Sequence, residues 1–462
     1  MYITASQEEE KPSTLRNDFT ILMKDRSFRV LLVTGWIMYG IDKVFSYMNL
    51  YLRALGWSFV LIGAVSSLYL LVRTAARFVG GFIGDTRNRR TMSVATMGLT
   101  SVAWLMLGIS AEFWMVVSAY MFFGFISFIR SGASAYLYTR IPRKPRDLMG
   151  LGNSLFQSVG PIWSLPVLFA LAIWTNMFPL VVLIQDLFLF GGFLLFFCTL
   201  LRWRHLSHDK SSPEDYLDGN PIPKFRNVIT ENIRAVKIII SLVPGLLLIG
   251  VLDTLSDAMF NYGALIYANE FAGVSYAGIS LILIVVVLVQ APLGLMIGRK
   301  MGINDENKYK AALGIYSIIP LSVALVLVAP SYPFIPFIPH EWIQWAGVLF
   351  PGGEVIFSTV FLGLILKSIN DNLWATILFT VIGSKFPKKD WGKTSSMYFS
   401  IVVLIATIAP TLAGVMFESI GPEWMFAMLI MLNIALIITI VATKFGMTPQ
   451  SSTEIIESAG IS

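Results

Sequence analysis

Twelve apolar stretches, each about 20 residues long or more, follow one another along the chain, and a helix of that length crosses about 30 Å of hydrocarbon. In lipid every backbone N–H and C=O must find its partner within the chain, which leaves helices and closed barrels as the spanning forms. Barrel strands alternate apolar and polar residues, whereas these runs are continuously apolar. Only 13% of the 462 residues are charged and 56% are hydrophobic, against roughly 25% charged in soluble domains. The sequence therefore predicts an all-α integral membrane protein and excludes a soluble enzyme, a disordered chain and a disulfide scaffold. The single cysteine, Cys198, lies inside an apolar run as a small core residue, so no intramolecular disulfide can form.

Spans are expected at 28–52, 58–84, 91–110, 114–139, 147–172 and 178–202, then 234–268, 274–298, 309–329, 357–384, 391–417 and 422–444. With the N-terminus inside, 28 of the 34 Lys and Arg fall on one side, and the other six are Lys43, Arg53, Arg73, Arg77, Arg130 and Lys367. The opposite loops carry Glu112, Glu270, Glu341, Glu418 and Glu423. By the positive-inside rule both termini are cytoplasmic and the protein sits in a cell membrane. Residues 1–27 and 445–462 are then cytoplasmic tails, 28–202 and 234–444 two sets of six helices, and 203–233 a cytoplasmic linker rich in turn formers. The first residues lack the apolar core and cleavage site of a secretory signal. The net charge of +6 follows from this topology and calls for no nucleic-acid partner.

In the linker, His205 and His208 stand three apart. No third ligand is near, so a solvated loop is expected and no metal. Pro330, Pro333, Pro336 and Pro339 recur every third residue, which predicts a stiff polyproline II lip on the outer side, with Trp342 and Trp345 at the interface.

Residues 81–90 read Gly-Phe-Ile-Gly-Asp-Thr-Arg-Asn-Arg-Arg, between spans two and three. Small residues there allow close helix approach, Asp85 can face a helix N-terminus, and the basic cluster can anchor to headgroups. Here the chain resembles the major facilitator superfamily, whose loop signature G-x-x-x-D-R-x-G-R-R is matched by Gly81, Asp85, Arg89 and Arg90. Thr86 replaces an Arg, and Asn88 replaces a Gly in a position that Asn's tolerance of left-handed angles suits. A degenerate copy, PLGLMIGRKMG at 292–302, follows span eight, with Gly298 where the Asp would stand. TRIPRKPRDLMGLGNS after span four is likewise echoed by SKFPKKDWGKTSSM after span ten. Such internal duplication is the organisation of these transporters. The resemblance implies twelve transmembrane helices as two pseudo-symmetric six-helix bundles, with the motif as a conformational gate. Gly152, Gly160 and Pro161 keep part of an exporter pattern of helix five, but Ser164 and Leu165 replace its following glycines. A Pro kink with small packing residues explains them equally well.

A charge near the bilayer centre costs several kcal/mol and so marks a candidate site. Those in mid-span are Asp42, Lys43, Arg73, Arg77, Arg130, Asp186, Asp253, Asp257, Lys367 and Asp371. The resemblance implies that helices one, four, seven and ten line a central cavity, and seven of these ten charges lie on them. Asp253, Asp257 and Asn261 are spaced four apart and share a helix face. Two carboxylates so close repel, which suits one of them to carry a proton. The alternative is a cation, such as Arg130, that neutralises them permanently. Lys367 and Asp371 are also four apart and are expected to form an ion pair within their helix. Arg130 has no acid within helical reach and is the candidate anion-binding residue. Arg73 is a second cavity candidate, and Asp186 has no assigned role.

These residues and the resemblance lead to one expected function: a secondary active transporter, not an enzyme. It would move a small organic solute by alternating access with proton coupling, as a monomer among membrane lipids, without a cofactor. No Walker-type loop is present for ATP-driven transport. The rivals are a membrane enzyme acting on a lipid-linked substrate, and a channel or receptor on the same fold.

Overall fold

A computed structural model of the chain describes residues 15–86, 88–110, 112–141, 152, 155–207, 245–300, 305–385 and 391–445. The echo segments at 142–151 and 386–390, most of the linker, His208 and the outer tails lie outside the described residues.

A short helix α1 (Leu15–Lys24) precedes α2 (Arg26–Asp42), and Asp25 caps α2 by accepting from the Phe28 amide at 3.0 Å. A 3-10 turn, Lys43–Tyr47, links α2 to α3 (Met48–Ala54), and together these make the first span. Then come α4 (Phe59–Thr86), α5 (Arg89–Ile109), α6 (Phe113–Phe125) and α7 (Ser127–Thr139). The fifth span passes through a π turn, Leu155–Val159, and a 3-10 turn, Gly160–Ser164, into α8 (Leu165–Trp174). Pro161 lacks the N–H that a regular helix would use there. The sixth span is α9 (Leu180–His205).

The second half holds α10 (Leu246–Glu270), α11 (Tyr276–Lys300), α12 (Asp305–Val328), α13 (His340–Leu349) and α14 (Thr359–Lys385). It ends with α15 (Trp391–Ala406), α16 (Ala409–Ser419) and α17 (Pro422–Thr443). The break after Ala406 falls four residues before Pro410, whose ring excludes a helical carbonyl at that position. Among the described residues there is no strand, only one bridge between Phe334 and Ser358.

Seven helical stretches among the described residues are long and apolar enough to cross a membrane by length and composition alone. The helices α10 and α14 fall outside that set, and they carry Asp253, Asp257, Lys367 and Asp371. The chain is an all-α integral membrane protein. The Pro330–Pro339 segment differs from the stiff extended lip expected of it. It folds back on the start of α14, the Ile335 amide donating to Phe357 O at 3.0 Å beside the Phe334–Ser358 bridge, and then turns, with the Ile338 amide donating to Ile335 O at 3.1 Å. Pro339 then stands at the N-cap of α13, which presents Trp342 and Trp345 outward.

Within the first half α5 packs along α9, where Ser101 Oγ donates to Gly192 O at 2.8 Å. Within the second, α12 packs against α14 and α17. Two seams join the halves, α4 against α16 and α8 against α11. We call the end holding Arg26 and His205 proximal, and the end holding the α3–α4 and α10–α11 turns distal. Every hydrogen bond described between the halves lies toward the distal end. Arg53 donates to both carboxylate oxygens of Glu270, at 2.7 and 3.3 Å. The Val60 amide donates to Glu418 at 3.0 Å, so a side chain of one half caps α4 of the other. Tyr262 Oη donates to Phe59 O at 2.6 Å, and Thr411 and Ser67 hydroxyls meet at 2.7 Å. Glycines permit this contact: a Cβ on Gly63 would run into the Pro410 carbonyl, and one on Gly414 into the Phe59 carbonyl.

Candidate functional site

The intramembrane charges separate by half. In the first half, Asp42 lies at the end of α2, where the helix tightens into the 3-10 turn. Its Oδ1 is buried with no hydrogen-bond partner among the described residues, and its charged neighbours are Arg130 and Arg73. A cavity of about 360 Å³ opens beside it, with Asp42, Arg77, Arg130, Arg202, Tyr39 and Thr96 in its wall. Arg130 on α7 reaches the Met38 sulfur at 3.9 Å. Lys43 is half-buried in the 3-10 turn, and Asp186 faces outward from α9.

Arg202 is a buried cation that inspection of the sequence missed. Its Nε donates to Thr34 Oγ1 at 2.8 Å, and its Nη1 lies 3.2 Å from both the Ser93 carbonyl and hydroxyl, so it ties α9 to α2 and α5. At the last turn of an apolar run it reads as an interfacial arginine. The available signal was a pair of hydroxyl residues within two other spans, Thr34 midway along α2 and Ser93 in the second turn of α5.

In the second half, Lys367 is buried between two carboxylates. Its Nζ is 2.6 Å from Asp257 Oδ1 and also pairs with Asp371, one turn along α14. The neutralising cation for Asp257 is therefore Lys367 of its own half, where Arg130 had been considered. Asp253, one turn from Asp257 on α10, is buried and turns the other way. It accepts from Tyr316 Oη at 2.9 Å, within a network in which Tyr316 also meets Asn433 at 3.0 Å and Asn433 donates to Ser256 at 2.9 Å. Tyr316 and Asn433 also escaped the sequence reading, since neutral polar residues do not stand out as charges do. Two carboxylates thus flank one ammonium, and Asp253 is held apart from it in the Tyr316–Asn433 network.

Between the halves lies a second cavity of about 370 Å³. Arg73, Arg77 and Asn49 line it from the first half, and Asp257, Asn261 and Tyr262 from the second. Arg77 borders both cavities. The structure thus brings Arg73, Asp257 and Asn261 to one space, Asp42 and Arg130 to the neighbouring one, and Lys367 with Asp371 to the wall beside Asp257. Asp253 lines neither.

The loop signature occupies the junction of α4 and α5. Gly81 and Asp85 fall in the last turns of α4, and their side chains lie outside the described residues. Asn88 is the N-cap of α5, its side chain accepting from the Arg90 and Thr91 amides at 3.0 and 3.3 Å. Arg90 reaches across to the Trp203 carbonyl at 2.7 Å, and Arg89 opens α5. Gly160 is buried against Tyr39, and Pro161 follows it in the 3-10 turn.

The chain matches the Major Facilitator Superfamily over residues 30–373. No curated protein matches it in sequence. Among solved structures it is similar to a mutant of the nucleoside transporter NupG, at 12% identity and TM-score 0.62, covering 90% of this chain and 99% of that one. It is also similar to a POT family transporter in complex with 5-aminolevulinic acid, at 13% identity and TM-score 0.61, covering 92% and 96%. The human organic anion transporter MFSD10 (TETRAN) aligns at 14% identity and TM-score 0.54, covering 92% and 99%. These likenesses establish the fold.

Proposed function

Because the chain belongs to the major facilitator superfamily, we propose that it is a proton-coupled secondary transporter that moves a small organic solute bearing both charges, by alternating access. The carrying observation is the polarity of the cavity between the halves, with Arg73 and Arg77 in one wall and Asp257 and Asn261 in the other. A solute with an anionic group and a cationic group a few ångströms apart matches both walls, whereas a polyanion is repelled by Asp257. The likeness to a nucleoside transporter, to an organic anion transporter and to a POT family transporter in complex with 5-aminolevulinic acid supports a small polar cargo.

Alternation in this reading is a rocking of 28–202 against 234–444, joined by the 203–233 linker. The distal contacts hold one end shut, and Gly81, Asp85, Arg89 and Arg90 hold the other end in the opposite state. Both termini are cytoplasmic, so the distal end is external. Coupling falls to the acids. Asp257 and Asp371 compete for Lys367, and a proton on either loosens its grip. A cationic group of the solute takes the place of Lys367 at Asp257 as the ammonium moves to Asp371. Asp42 with Arg130, and Asp253 behind the cluster, supply further proton and anion positions. Gly160 and Pro161 let the fifth span flex. The protein works as a monomer without a cofactor.

The test is uptake into proteoliposomes with and without an imposed pH gradient, using ligands found by a thermal-shift screen of zwitterions and their singly charged analogues. Wild type should concentrate the zwitterion. Asp371→Asn, which leaves the solute-facing Asp257 in place, should exchange it without concentrating it, and Arg73→Gln, which removes a cation from the cavity wall, should lose affinity by at least about thirtyfold, as for a lost buried charge contact. Downhill flux alone in the wild type would overturn proton coupling. Preference for a singly charged analogue would overturn the substrate class.

A further inference from the structure

A third cavity, of about 330 Å³, lies away from the transport pathway in the groove between α2 and α9 at the proximal end. Its lining from α2 is Arg26, Arg29, Val30, Val33 and Thr34, positions that repeat at helical spacing on one face. From α9 it takes Leu201 and His205, one turn apart. The two ends of the groove differ in chemistry. Arg26, Arg29 and neighbouring Arg204 are exposed at the mouth, and about 10 Å deeper, seven residues along the helix at 1.5 Å each, Val33 is exposed at 47%. Phe197 and Leu200 continue that apolar surface along α9, and Trp203 stands exposed at the level of the arginines.

The mouth is basic without an answering acid. Neither Arg26, Arg29 nor Arg204 has a carboxylate partner among the described residues. The neighbouring Asp25 directs its carboxylate to the Phe28 amide of its own helix. Arg26 Nη2 lies 2.5 Å from His205 Nδ1, which makes that nitrogen the acceptor and leaves Nε2–H free to donate outward. The site thus offers two guanidinium forks and an imidazole donor at headgroup depth, above a hydrocarbon-lined slot open to the side of the bundle.

We propose that this groove binds an anionic glycerophospholipid, its phosphate on Arg26, Arg29 and His205 and one acyl chain along Val30, Val33 and Leu201. The phosphate accepts bidentate hydrogen bonds from arginine, and basic pockets between transmembrane helices at the headgroup level suit anionic lipids. The occupant is a lipid rather than a soluble phosphate because half the groove is apolar and faces hydrocarbon, where a free anion gains nothing.

The test is native mass spectrometry of the full chain in neutral detergent, titrated with phosphatidylglycerol, phosphatidylcholine or glycerol 3-phosphate. Wild type should retain phosphatidylglycerol selectively. Arg26→Gln and Arg29→Gln should each weaken retention about fivefold, the equivalent of ~1 kcal/mol for one basic residue near an anionic headgroup. Lys444→Gln, which removes a proximal cation outside the groove, should leave it unchanged. Val33→Trp fills the slot without touching charge and should also weaken retention. Thermal unfolding in lipid-free detergent shows which variants remain folded, and only those are compared. Equal retention of the two lipids by wild type, loss of phosphatidylglycerol on Lys444→Gln as large as on Arg29→Gln, displacement by glycerol 3-phosphate, or full retention by a folded Val33→Trp would overturn the proposal.

Discussion

Consider the replacement Glu270→Gln, which keeps the shape of the distal contact and removes its charge. Arg53 keeps its bond to the Trp57 carbonyl at 3.0 Å and its place over the Phe59 ring at 4.1 Å, because both partners belong to its own half. What is lost is the part of the contact that joins the two halves. The two side chains are 33% and 28% exposed, so solvent screens the pair and its strength is about 0.5–1 kcal/mol, or a two- to fivefold change in an equilibrium. The closed-to-open ratio of the distal end should fall by that factor. The assay uses the fact that Cys198 is the sole cysteine and is buried, so Asn261→Cys places one reactive thiol in the wall of the cavity between the halves. Labelling of that thiol from the distal side by a membrane-impermeant reagent should run two to five times faster with Glu270→Gln. Raising the salt concentration should shrink the difference, since it weakens the ion pair in the unaltered protein. Charge reversal, Arg53→Glu with Glu270→Arg, should restore the slow rate. An unchanged rate for Glu270→Gln, or a reversed pair as fast as the single change, would refute the reasoning.

Lys367→Met leaves Asp257 and Asp371 without their shared cation and should destabilise the fold by about 3–5 kcal/mol; thermal unfolding should show partial recovery when Asp371→Asn is added, and no recovery would remove the ion cluster as the cause. Gly63→Val puts bulk against the Pro410 carbonyl and should speed thiol labelling at residue 261 more than Glu270→Gln does, because steric overlap cannot be screened; a slower rate would mean that α4 and α16 do not part. Arg202→Met strands the Thr34 and Ser93 groups it holds and should cost about 1.5–3 kcal/mol for each charged hydrogen bond lost, read as a lower midpoint in thermal unfolding, with an unchanged midpoint counting against the three-helix tie.

The spans were legible because a long apolar run has one fate in a bilayer, and the charges stood out against that background. What pairs with what was less legible. Asp253 and Asp257 have the same spacing rule and the same residue type, yet one faces Tyr316 inside the second half and the other meets Lys367 at the cavity wall. A 40° offset between positions four apart on a helix is enough to send them to different neighbours. Lys367 was expected to pair within its own helix and does, but its second partner comes from 110 residues away, a relation no local pattern encodes. The helices α1 and α13 were missed because each is only 10 residues long, too short for a span. In α13 the proline rhythm pointed to an extended lip, while Pro339 instead starts a helix, where its missing N–H costs nothing.

The seam between α4 and α16 has a consequence for how the molecule is used over many cycles. Its facing surfaces include the peptide groups around Gly63, Pro410, Phe59 and Gly414 and the hydroxyls of Ser67 and Thr411, with the Phe59 and Phe417 rings packed at one edge. Parting such surfaces uncovers groups that water can solvate at once, while a joint of interlocking leucines would expose hydrocarbon at about 25 cal/mol for each Å². A greasy joint of that kind adheres more strongly the better it fits, and would wait long in the shut state. A joint whose closest contacts are backbone at Gly63 and Gly414 can fit closely there and still release, so any side chain added at either glycine trades tightness of closure against speed of opening.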